Sequence, residues 1–168
     1  RYTSYHVAAA YVDGKGARVL EAALDRGADV ALVMPRNPNV YHDANRKALA
    51  KLVDKYGGGG GGGGGHDRVM TETKAPGTLT AYLCDDMLHA KVFLARGPNV
   101  DSAAMIGSCN LKQRSFGQFA ELNALVVQPQ CTRQLAAELD ILTRESKPVT
   151  REDLKFAEPK ATIEEWLG

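Results

Sequence analysis

The chain has little of several things that would narrow its function at once. Its three cysteines, Cys84, Cys109 and Cys131, are odd in number and lack metal-ligand spacing, so buried thiols are expected rather than a disulfide framework or a zinc site. The HExxH pattern is absent as well; no metal and no cofactor are implied, and chelators should leave any activity untouched. No stretch of about 18 apolar residues occurs, which excludes a membrane-spanning helix. A net charge of +1 gives no global pull toward polyanions, and an aromatic content of 7% argues against a nucleic-acid platform, although a local basic cleft stays open. The chain opens on Arg1 without a signal-like apolar run, which reads as a processed or excised piece and leaves its localisation unknown.

What is present is ordinary for a globular domain: 168 residues, 44% hydrophobic and 24% charged, enough for one domain over residues 1–168 with a real core. Ser4 to Val12 reads as a strand ended by Asp13-Gly14, and Leu20, Ala23 and Leu24 mark a helix over Ala17 to Arg26 that Gly27 stops. Asp29 to Met34 is a continuous apolar strand, parallel to the first. Leu49, Leu52, Val53 and Tyr56 mark a second helix.

The nine glycines of residues 57–65 follow, with Gly57 placed to end that helix and the rest expected as a disordered linker of roughly 15 to 18 Å end to end. Further strands are expected over Leu79 to Cys84, Leu88 to Ala95, Ala103 through Ser108 and Asn110, and Glu121 to Val127. A helix over Thr132 to Thr143 would be capped by Thr132, and Thr150-x-x-Asp153 and Thr162-x-x-Glu165 would start two short helices in the tail, residues 150–168. The expected fold is therefore α/β, a mixed and largely parallel sheet flanked by helices on both faces.

The chemistry concentrates between Leu88 and Asn123. If His89 and Lys91 sit on one strand they share a face, and Ser108 and Asn110 repeat the spacing. An ammonium, an amide donor and an imidazole aimed at one point suit a phosphate, since the imidazole can attack phosphorus or protonate a leaving oxygen. Glu121 is placed to hold a ring N–H of His89 and fix its tautomer. His6 and His42 lack a lysine two residues on and read as structural or solvent-facing, His66 as a loop histidine, and Trp166 with Leu167 as a packing anchor.

His89-x-Lys91, then Gly107-Ser108-x-Asn110, Arg114-Ser115 and Glu121-x-Asn123 resemble the HKD motif of the phospholipase D superfamily. The wording around them (MLHAK, IGSCNL, RSF, ELN) is closest to the second, C-terminal catalytic half of cardiolipin synthase-like phosphatidyltransferases, over about Tyr11 to Thr143. One position departs: the motif aspartate falls on Arg96, and the nearest acid, Asp101, lies beyond Gly-Pro-Asn-Val.

The resemblance implies a half-site acting on phospholipid through a phosphohistidine. His89, Lys91, Asn110 and Glu121 would be catalytic, Lys91, Ser108 and Asn110 would bind phosphate, and Gly107, Arg114, Ser115 and Asn123 would support them. Two such motifs normally face each other, so the partner is a second HKD half, from a preceding stretch of chain or a homodimer mate, and peripheral membrane association is expected. Two rivals stay open: a homodimeric nuclease using the same groups, and a catalytically silent half that binds lipid or a partner.

Overall fold

The computed structural model describes residues 2–57 and 75–167. The glycine run beyond Gly57, and His66 with it, lies outside the described residues. In chain order the elements are β1 (Ser4–Ala9), α1 (Gly14–Asp25), β2 (Asp29–Pro35), α2 (His42–Tyr56), β3 (Leu79–Cys84), β4 (Lys91–Gly97), β5 (Val100–Gly107), β6 (Asn123–Val126), α3 (Pro129–Glu145), β7 (Lys147–Pro148), a 3-10 turn (Glu152–Leu154) and α4 (Glu158–Leu167). Together the strands make one seven-stranded sheet in the order β6-β5-β4-β1-β2-β3-β7.

The α/β class and the mixed sheet are as expected, but the parallel share is smaller. Only β1–β2 and β2–β3 pair in parallel, the pairs whose connections carry a helix or the long stretch between α2 and β3. Pro98 and Asn99 alone join β4 to β5, a two-residue turn that leaves room only for an antiparallel hairpin. The Gly-Pro-Asn-Val stretch is thus a hairpin turn, and Asp101 lies past it on the next strand, exposed, while Arg96 keeps its place opposite Ser4.

Alternation along the strands feeds two apolar layers. Val7, Leu32 and Met34 face α1 and α2, whose Leu20, Leu24, Leu49 and Leu52 complete the main core. Ala8, Leu94 and Ala104 face the other way, against Leu135, Leu139 and Leu142 of α3. Asp13 caps α1 by accepting from the Lys15 and Gly16 amides at 2.9 and 2.7 Å, and Gly27, at φ 75°, ends it. Gly57 ends α2, its amide reaching the Val53 carbonyl at 2.8 Å.

Some expected boundaries move. The motif strands are shorter: His89 precedes β4, Ser108 and Asn110 follow β5, and Glu121 precedes β6. Helix α3 starts at Pro129, which supplies the fixed φ of a first helical residue, so Thr132 lies inside it and bonds back to the Pro129 carbonyl. Thr150 and Asp153 do form a reciprocal cap, but over a 3-10 turn, and Thr162 lies within α4 rather than at its start. Cys84 and Cys109 are buried, whereas Cys131 is exposed; all three are free.

Candidate active site

The end of β1 fixes the frame. Asn45 of α2 clamps the chain just beyond β1, accepting from the Val12 amide at 2.9 Å and donating to the Ala10 carbonyl at 3.1 Å. Val12 then bridges to Leu111, and Asp13 adds a third bond by accepting from the Gln113 amide at 2.8 Å. Gly16 is required here, because a Cβ on it would lie 1.6 Å from the Leu111 carbonyl oxygen. These contacts pin the Ser108–Gln113 loop beside the start of β4.

His89 and Lys91 meet across that junction. The Lys91 ammonium lies 3.0 Å from His89 Nε2 and donates to the His89 carbonyl at 2.8 Å. Lys91 is buried at 8% exposure while the His89 ring is open to solvent. An ammonium can only donate, so Nε2 is the acceptor, and the proton of the neutral ring sits on Nδ1. Burial lowers the Lys91 pKa from its ordinary value, with the Glu121 carboxylate acting the other way. The Tyr11 ring stands edge-on to His89 at 6.2 Å between centroids.

Of the other expected site residues, Asn110 keeps a free polar end: its Oδ1 is buried and has no hydrogen-bond partner. Ser108 does not. Its hydroxyl donates to the Glu121 carboxylate and accepts the Leu122 amide at 3.0 Å, so it braces the loop rather than facing a ligand. Glu121 correspondingly bonds Ser108 instead of the His89 ring, and hydrogen bonds from Ser108 and Ser115 hold its pKa below the usual value.

Asn123 accepts the Cys109 amide at 3.3 Å, and Gly107 is glycine because a Cβ would lie 2.3 Å from both Asn123 Oδ1 and the Leu122 carbonyl oxygen. Arg114 reaches away, donating to the Trp166 carbonyl of α4 at 2.9 Å, while the Trp166 side chain is exposed rather than a packing anchor. His89 and Lys91 are therefore in contact and Asn110 Oδ1 is left without a partner, while Gly107, Ser108, Ser115, Glu121 and Asn123 hold their loop.

Two residues were missed by the sequence reading. Tyr11 closes one side of the His89 ring, and Lys112 is buried at 6% exposure with its ammonium 3.4 Å from the Tyr41 ring centroid and 5.8 Å from that of Tyr11. The signal was present for Lys112, which lies two residues past Asn110, the same spacing that links Ser108 to Asn110.

Among the described residues no three His, Cys, Asp or Glu side chains converge as metal ligands, and no helix is long and apolar enough to cross a membrane. The family described as cardiolipin synthase, PLD-like domain, matches residues 3–143. The chain belongs to this family and, with it, to the phospholipase D superfamily of phosphodiester chemistry.

No curated protein matches by sequence. Solved structures share the fold. NucT from Helicobacter pylori is 14% identical with a TM-score of 0.57, covering 87% of this chain and 82% of its own. Nuc from Salmonella typhimurium, a phospholipase D family member, is 18% identical with a TM-score of 0.56, covering 88% of this chain and 82% of its own. Phosphatidylserine synthase from Haemophilus influenzae Rd KW20 is 15% identical with a TM-score of 0.61; the match covers 98% of this chain but 38% of that longer one.

Proposed function

We propose that this chain is one half of a phosphatidyltransferase or phosphodiesterase site acting on phospholipid, cardiolipin synthase-like, with His89 as the nucleophile. The observation that carries it is the exposed His89 ring with its Nε2 lone pair turned to the Lys91 ammonium, 3.0 Å away. A phosphoryl oxygen entering there replaces Nε2 as the partner of that ammonium and brings phosphorus to the freed lone pair. Nε2 then attacks phosphorus as the bond to the leaving alcohol breaks, and the alcohol takes its proton from the histidine of the second half. Water or an acceptor alcohol, deprotonated by that same histidine, next attacks phosphorus and releases Nε2. Lys91 and the Asn110 amide stabilise the charge that grows on the phosphoryl oxygens.

The described residues hold no second His-x-Lys pair, and one part of the sheet is left uncovered. On the α1 side the β4–β5–β6 part of the sheet carries no helix and opens a groove of about 360 Å³ lined by Val19, Phe93, Met105, Phe116 and Leu125. Leu125 is 72% exposed and Leu122, on the loop beside Glu121, 83% exposed, so the bare face runs up to the site. A second phospholipase D half, from a preceding stretch of chain or a second copy, is the occupant that completes both the apolar face and the chemistry. Continuity of the bare face with the active-site loop supports this reading over that of a silent binding half.

The test is a trapped intermediate. The chain with its completing half is mixed with bis(4-nitrophenyl) phosphate, quenched in alkali and digested, and the peptide bearing His89 is weighed. A phosphoryl adduct on His89, absent in His89→Ala, is expected; release of nitrophenol that survives His89→Ala would overturn the assignment.

A further inference from the structure

Lys112 is used by no step described so far. Its ammonium sits against the faces of Tyr41 and Tyr11, a setting that stabilises a desolvated cation, and Tyr11 is the ring that also stands against His89. Among the described residues the ammonium has no hydrogen-bond or ion-pair partner, although the side chain is only 6% exposed. Asp13 acts on it through charge alone, its two oxygens accepting the amides of Lys15, Gly16 and Gln113. Tyr41 is itself held at φ 59°, a left-handed conformation that a tyrosine rarely adopts, and its ring forms one wall of the cage. A lysine whose stem is buried while its ammonium reaches the surface, one aromatic ring away from His89, is poised for an anion that the described residues do not supply.

We propose that Lys112 is a specificity-determining residue that binds a second anionic group of the substrate, next to the phosphodiester held at His89 and Lys91. This inference rests on the phosphate-site reading and deepens it: the favoured substrates are phospholipids whose headgroup carries its own anion, and cationic headgroups are disfavoured by the ammonium already occupying the cage. Burial lowers the Lys112 pKa, with Asp13 opposing and Arg114 adding to the shift.

Calorimetry on the chain itself provides the test, with inorganic phosphate and methylenediphosphonate as probes. The wild type should bind the diphosphonate about tenfold more tightly than phosphate, as one charge-assisted bond implies, while Lys112→Met binds both alike and Lys112→Arg keeps most of the preference. An equal preference in wild type and Lys112→Met overturns the inference and leaves the phosphate site standing. Wild type that binds neither probe overturns the phosphate site itself.

In the completed enzyme, phosphatidylserine vesicles should be turned over in preference to phosphatidylcholine vesicles, through KM and only while Lys112 is present. A Lys112-dependent preference for an oligonucleotide instead overturns the lipid assignment. If Lys112→Met lowers kcat equally on bis(4-nitrophenyl) phosphate, Lys112 merely props Tyr11 and the proposal fails.

Discussion

The molecule contains two arrangements that look alike in outline and differ in chemistry. At one end of β1, His6 meets Asp140 and Thr143 of α3, with Arg96 beside them; at the other, His89 meets Lys91, with Glu121 and Ser108 nearby. His6 is buried, and its Nε2 is engaged, 2.8 Å from the Thr143 hydroxyl, while Nδ1 lies 3.5 Å from Asp140 and pairs with it only when the ring is protonated. That hydroxyl already donates to the Leu139 carbonyl at 2.8 Å, so it accepts from His6, and the His6 proton lies on Nε2. At His89 the neighbour is an ammonium, the proton lies on Nδ1, and Nε2 keeps its lone pair at an open surface. A buried histidine whose proton is spent on its own fold reads as structural, and one at an open surface beside a cation is the candidate nucleophile.

Replacing each histidine tests that contrast most severely. His89→Ala should remove turnover entirely, while His6→Gln, which retains a donor for Thr143, should keep it, as read by nitrophenol release from bis(4-nitrophenyl) phosphate. Equal losses at both positions would erase the distinction.

A smaller effect follows at the cation. Lys91→Ala should cost about 2–4 kcal/mol of transition-state stabilisation in kcat/KM, as for one oxyanion donor. Because burial lowers the Lys91 pKa, the wild-type rate should fall as pH rises through a value below the ordinary 10.5, and a profile flat to that pH would place the ammonium away from the reaction.

The smallest effect belongs to His6. Burial lowers its pKa below 6.5 despite Asp140, so below about that pH the unfolded chain binds the proton more readily and stability falls as pH drops through this window. Thermal melts from neutral pH downward should show a modest extra loss of Tm in the wild type that His6→Gln lacks.

The same contrast shows what could be read in advance. The spacing of His89 and Lys91, and of Ser108 and Asn110, marked a candidate because residues two apart in sequence lie near one another. It could not say where each hydrogen bond goes. Ser108 and Glu121 carry the right chemistry for a ligand, yet they bind each other, because the tight approach of β6 to Gly107 brings their loops together. Arg114 has the charge for phosphate and is spent on a helix-end carbonyl that lies 52 residues away in sequence. Tyr11 and Lys112 came from segments that appeared unrelated until Val12 bridged to Leu111.

Local pattern determined the apolar strands, the helices with their glycine stops and the absence of a spanning helix, since each depends on residues near one another in sequence, and the order of short motifs along the chain pointed to the family. Tertiary structure decided which strands run parallel, which histidine stands at an open surface, which polar groups are consumed in holding the loop and which lysine is set against two tyrosine rings. Those outcomes depend on contacts between distant segments, and only the folded sheet fixes which of them are made.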